Sequence, residues 1–179
     1  MLFHISDDAG IERFDPRPSE YTADPVVWSI DADRLRNYLL PRDCPRVTFY
    51  AGPQTTAADR ERLLRESHAV VAIERAWLAR LRTSRLFCYH LPPDTFECLD
   101  ACAGYYVSRA PVLPTRVDVI DDAITELRRR NVELRVESNL WPLRDAVASS
   151  TLMFSIIRMR NAQPRARDRR QGSWRSEST

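Results

Sequence analysis

The chain has 179 residues, 44% apolar, 29% charged and 9% aromatic, enough to bury one core of ordinary size without disulfides or metal. Its four glycines exclude a collagen-like or fibrous protein, and its apolar share excludes disorder along the whole length. All 27 basic residues are arginine, which excludes any Schiff-base, phosphate-loop or general-base lysine.

The net charge of +2 is unevenly placed. Arg165, Arg167, Arg169, Arg170 and Arg175 against Asp168 and Glu177 give residues 161–179 a charge of +3 and leave −1 on the rest. A balanced body argues against a broad electrostatic footprint for duplex nucleic acid or an anionic membrane. Met1-Leu2-Phe3-His4-Ile5-Ser6 has neither the basic flank nor the long apolar stretch of a secretory signal, and no apolar run nears the ~20 residues that span a bilayer. Cys44, Cys88, Cys98 and Cys102 are therefore expected as reduced thiols in a cytoplasmic protein.

In chain order, residues 1–6 read as a strand with Phe3 and Ile5 on one face and Leu2, His4 and Ser6 on the other. A polar loop with Gly10, Pro16, Pro18 and Pro25 leads to a second strand over 26–30. Asp31 then caps a short helix carrying Leu35, Tyr38 and Leu39, which Pro41 stops. Residues 46–51 alternate as a third strand, ended by Gly52-Pro53. Thr56 and Asp59 form a capping-box pattern that predicts a helix to about Ser67. A strand over 70–74, a short helix over 76–82 and a fifth strand over 86–91 follow.

Residues 96–101 read as a helical turn and 105–108 as a short strand. Over 118–130, Ile120, Ala123, Ile124 and Leu127 form one apolar helical stripe. Acids at its start and Arg128 to Arg130 at its end match the helix dipole, and Asn131 suits a left-handed C-terminal residue. Val132, Leu134 and Val136 alternate with Glu133, Arg135 and Glu137 as a half-exposed strand. A loop or short helix around Trp141-Pro142 precedes a last strand over 152–159, whose two apolar faces predict a central place in its sheet. The reading is a single α+β domain over 1–162, a mixed, largely antiparallel sheet with a few short helices, and a disordered arginine-rich tail over 163–179.

Six places carry candidate chemistry. His4 and Ser6 share a strand face, where an imidazole near neutrality holds a ligand or is satisfied by backbone in the core. Pro41 and Pro45 stiffen the segment around Arg42 and Asp43, which suits anion recognition or a structural Arg–Asp pair. Cys88 and His90 with Cys98 and Cys102 offer four zinc-type donors, but at no familiar spacing, and buried free thiols explain them as well. Trp28, Tyr50, Tyr89, Tyr105, Tyr106 and Trp141 offer stacking faces or core. Glu74, Glu133 and Glu137 lie on or beside strands as possible acids or bases, the last two explained equally as a solvated face. RNA contact through Arg165 to Arg170 is an alternative role for the tail.

The strings FHISDDAGIERFDPRPS, VVWSID, NYLLPRDCPRVTFYAG, AGYYVS, NLWPLRD and FSIIRMRNAQPR resemble a bacterial protein family of unknown function over about residues 1–165. More loosely, the first strand with its histidine, the Pro-Arg loop and VVWSID are similar to ADP-ribosyltransferase-like domains. That resemblance implies NAD lying across the first strand, held by His4 with Ser6 beside it and Arg42 near a phosphate. It implies Trp28 or Tyr50 stacking on nicotinamide, and Glu133 or Glu137 as the catalytic carboxylate. A glycosyl (ADP-ribosyl) transferase is the activity so implied; the alternative is a non-catalytic module that binds a small ligand or a protein.

Overall fold

The computed structural model describes residues 1–101 and 103–165. Among these described residues ten strands fall into two sheets: β1 (Leu2–Ser6), β2 (Val27–Ile30), β3 (Arg46–Tyr50), β4 (Ala69–Glu74), β5 (Leu86–Leu91), β6 (Glu97–Asp100), β7 (Tyr105–Ser108), β8 (Arg116–Ile120), β9 (Val132–Glu137) and β10 (Met153–Ile157). The first sheet is antiparallel throughout, in the order β6-β7-β2-β1-β5-β8. The second runs β10-β3-β4-β9, with β4 and β9 parallel. Helices α1 (Ala57–Asp59, continued by a wider turn over Arg60–Leu64), α2 (Leu78–Thr83), α3 (Ala123–Arg129) and α4 (Trp141–Ala148) are short. The α+β reading holds, with its strands shared between the two sheets.

Strand alternation places the cores. Val71 and Ile73 of β4, Leu86 and Cys88 of β5, and Leu81 and Leu127 of α2 and α3 form a buried cluster between the sheets. The opposite faces of β3 and β4 carry Val47, Phe49, Val70 and Ala72, which Leu63, Leu64, Leu140 and Val147 cover. On the outer face of the first sheet, Leu2, Val27, Tyr89 and Leu91 pack with Phe14 and Val112. The inner strands β3 and β4 are thus buried on two faces, which explains a run such as residues 69–73 that is apolar without alternation.

Local signals set several boundaries. The Thr56 side chain accepts from the Asp59 amide, as the capping-box pattern predicts, and Asn131 takes the left-handed conformation after α3. Three expectations are corrected. The segment expected to be helical over 96–101 is strand β6, paired antiparallel with β7 through a bulge between Cys98 and Asp100. Its pairing with β7 outweighs the local preference.

The helix expected over 118–130 begins only at Ala123. Residues 116–120 are β8, in register with β5 from Leu86↔Ile120 to His90↔Arg116, and Asp122 caps α3 by accepting from the Thr125 amide. Cross-strand pairing takes Ile120 out of the helical stripe. Finally, β10 is an edge strand. Its apolar residues serve packing and a cleft wall in place of a second neighbour: Met153 crosses so close to Gly52 that a Cβ there would lie 2.5 Å from its Cγ.

Gln163, Pro164 and Arg165 are fastened to the domain through Glu74, Trp141, Asn139 and Asp145. Most of the expected tail, from residue 166 on, lies outside the described residues. No helix among those described is long and apolar enough to cross a membrane.

Candidate functional site

The site begins where two neighbouring strands part. β1 and β2 are in register only at Phe3↔Ile30, whereas β1 and β5 pair over five successive residues. Beyond Phe3 a side chain takes over: His4 Nδ1–H donates to the Trp28 carbonyl oxygen at 3.0 Å. A carbonyl only accepts, so this bond fixes the tautomer and leaves Nε2 as an acceptor. Burial holds the imidazole below its ordinary value of 6.5, and the positive charges of Arg42 and Arg17 add to the effect against the carbonyl bond. The ring is therefore neutral at physiological pH, tilted against Phe14 with centroids 4.9 Å apart.

A cleft of about 810 Å3 opens beside this junction, within the ~300–1,000 Å3 range of small-molecule sites. β1 contributes His4 and Ser6, β2 contributes Trp28, and β7 contributes Tyr105. The facing wall comes from the second sheet, with Arg46 at the start of β3 and Ile156, Ile157 and Arg158 at the end of β10. Arg42 and Arg160 stand at the rim, and Asp7 and Asp100 also line the space.

Trp28 is flanked edge-on by Tyr21 and Tyr105, centroids 6.3 and 5.8 Å away, which holds an indole at the cleft wall. The Ser6 hydroxyl accepts from the Asp8 amide and keeps its proton to donate. Of the sequence-predicted residues, His4, Ser6, Trp28 and Arg42 are brought together here.

The others are not. Tyr50 lines an adjoining recess of about 360 Å3 that shares Asp100, Tyr105 and Ile156 with the cleft. Its ring lies under the guanidinium groups of Arg36 and Arg34, at 4.3 and 5.3 Å. Glu133 and Glu137 sit on β9, at the far edge of the second sheet from β10, and neither lines cleft or recess. Glu133 is gripped by Arg135, which holds its carboxyl below the usual range with help from the Ser67 hydroxyl. Arg42 and Asp43 form no ion pair; the Asp43 carbonyl instead accepts from Asn161 Nδ2 at 2.8 Å.

Cys88 is buried beside Asp118, and burial first, then that carboxylate, pushes its thiol up to about 11. His90 Nε2–H donates to Asp118 at 2.7 Å, and Arg116 holds the same carboxylate through two contacts of 2.6 Å. Among the described residues no group of three or more His, Cys, Asp and Glu gathers to hold a metal; Cys102 lies outside them.

Residues 3–162 match the sequence pattern of a family of unknown function, DUF6886. The chain belongs to that family. No curated protein and no solved structure matches it. The DUF6886 match runs from the start of β1 to just past Arg160, so every cleft residue named above falls within it.

Sequence reasoning missed Arg46, Arg158 and the hydroxyl pair of Tyr38 and Tyr105, 3.0 Å apart. The available signals were an arginine opening an otherwise apolar strand and the Arg158-Met159-Arg160 run closing another. Neither means anything until the register Ile157↔Arg46 sets them side by side.

Proposed function

We propose that the cleft binds a nucleotide of the NAD class in the manner of ADP-ribosyltransferase-like proteins. The observation that carries this reading is His4, neutral and tethered through Nδ1 to the Trp28 carbonyl where β1 and β2 part. Its Nε2 is an acceptor suited to a ribose hydroxyl. The Trp28 indole beside it supplies a stacking face for a planar ring, and Arg42 at the rim supplies positive charge for a phosphate.

Transfer chemistry would break the bond between the ribose C1′ and nicotinamide, which leaves with the bonding pair while an acceptor nucleophile bonds to C1′. A carboxylate must steady the developing oxocarbenium charge. In the cleft the available carboxylates are Asp7 and Asp100, in place of Glu133 and Glu137. The position of those two glutamates on the far edge strand favours a second reading of the same cleft, a binding module that holds the nucleotide without cleaving it.

Calorimetric titration with NAD, on wild type and His4→Ala, tests the reading. Saturable binding lost in the variant supports it, and no binding at millimolar NAD removes it. Nicotinamide release from the bound nucleotide separates transferase from binding module.

A further inference from the structure

We propose that the cleft contains a phosphate subsite formed by Arg46 and Arg158, and that its ligand is a phosphorylated molecule held by these two guanidinium groups. The subsite rests on the cleft being the ligand site but not on the ligand being NAD.

Arg46 is only 3% exposed. Its Nε–H donates to the Asn37 carbonyl and its Nη1–H to the Cys44 carbonyl, both at 2.9 Å, and its guanidinium stands 5.5 Å from the centroid of the Tyr38 ring. These contacts satisfy donors without balancing charge. Among the described residues no carboxylate comes within ion-pair distance of it, although Asp7 and Asp100 line the same cleft. A buried cation is stable only when paired, and the open side of this one faces the cleft.

Arg158 supplies the second charge. Ile157 pairs with Arg46 across β10 and β3, so the turn beginning at Arg158 starts beside the buried guanidinium. Arg158 takes left-handed backbone, φ 58° and ψ 28°, a strained conformation for a non-glycine residue of the kind that collects at ligand sites. The Asn161 side chain anchors the turn to the Asp43 carbonyl. Arg46 and Arg158 thus line one cleft as two like charges; burial first, and then the charge of Arg158, makes it harder for Arg46 to keep its proton.

Tyr38 and Tyr105 complete the donor set. Their hydroxyls share one bond, in which Tyr38 donates to Tyr105 at 3.0 Å, so the Tyr105 proton is left to donate into the cleft. Two guanidinium groups and a phenol match the several oxygens and multiple charge of a phosphate better than the single charge of a carboxylate.

The test is titration of the full chain with inorganic pyrophosphate, AMP, O-phosphoserine and NAD at low salt, with binding read by calorimetry. Pyrophosphate is expected to saturate the wild type, and Arg158→Ala to weaken it about 10–100-fold, as loss of a charged hydrogen-bonding partner implies. AMP outbinding O-phosphoserine assigns the phosphate to a nucleotide, and the reverse to a phosphorylated side chain. Arg158→Gly relieves the backbone strain, so its melting temperature is expected to rise while pyrophosphate affinity falls, a pairing that misfolding does not produce. Pyrophosphate binding that fails to saturate, or that ignores Arg158→Ala, overturns the subsite. Arg158-dependent pyrophosphate binding without NAD binding leaves the subsite standing and ends the NAD reading; NAD binding indifferent to Arg158→Ala does the opposite.

Discussion

His4 Nδ1 lies 3.0 Å from the Trp28 carbonyl oxygen, next to the only registered pair between their two strands, Phe3↔Ile30. An imidazole there does two things at once. It satisfies a carbonyl near the end of the ladder, and it presents a defined acceptor atom to the cleft. His4 is thus half of the bland expectation for a strand histidine, with one ring nitrogen satisfied by backbone, and half of the functional one.

That environment predicts a pH dependence. Burial lowers the folded-state value of His4 below 6.5, so the unfolded chain takes up this proton first as pH falls. The stability His4 contributes is therefore present above about pH 6.5 and lost progressively below it. Urea unfolding of wild type and His4→Ala between pH 8 and pH 5 isolates the effect. The difference in unfolding free energy should be flat above pH 7 and shrink towards pH 5; a difference that stays flat or grows would count against a neutral, buried imidazole.

The sequence carried the elements better than their neighbours. Strand alternation at residues 2–6, 46–50 and 132–137, the Thr56 cap and the Asn131 stop are local, and each is found where its pattern lies. Residues 116–120 take their partner from β5, well back along the chain, and residues 97–100 pair with the neighbouring β7 through a bulge; local helical preference misread both. The same division holds for the site. His4, Ser6, Trp28 and Arg42 come from the N-terminal segment that the motif reading covered. Arg46 and Arg158 meet through a pairing between residues more than a hundred positions apart, which no periodicity encodes. Glu133 and Glu137 were plausible carboxylates by type, and the parallel pairing of β9 with β4 carries them away from the cleft.

Glu74 predicts how the end of the described chain is held. Its side chain is 1% exposed and accepts from the Leu140 amide at 3.2 Å and from the Gln163 amide at 3.1 and 2.9 Å. It ties the start of α4 to residues 163–165. Glu74→Ala orphans two backbone donors and is expected to cost about 3 kcal/mol, with Glu74→Gln costing less because one acceptor oxygen remains. Urea unfolding measures the loss, and amide exchange at Gln163 should accelerate in both variants. A loss under about 1 kcal/mol in Glu74→Ala would show that the carboxylate does not hold this junction.

Gly104 closes the turn between β6 and β7 at φ +68°, and a Cβ there would lie 2.5 Å from both Arg34 Cγ and Asp31 Oδ2. Its carbonyl also accepts from the Asp31 amide at 3.1 Å. Gly104→Ala meets strain and collision together and is expected to destabilise by about 1–3 kcal/mol. Tyr105 follows directly and lines the cleft, so any ligand that uses the cleft should bind the variant more weakly. A thermal melt indistinguishable from wild type would mean that the turn relaxes freely.

The thiols separate by burial. Cys44 is fully buried and its thiol is pushed up to about 12, mainly by burial. Cys88 is 4% exposed and raised to about 11. Cys98 is exposed on β6. Because the thiolate is the reactive form, native protein alkylated briefly at pH 8 should carry label at Cys98 and essentially none at Cys44 or Cys88, which react only as the fold opens. Peptide mapping by mass spectrometry scores each cysteine separately. Labelling of Cys88 as fast as Cys98 would place the β5–β8 edge in rapid opening and remove the inter-sheet core as a fixed support for the cleft.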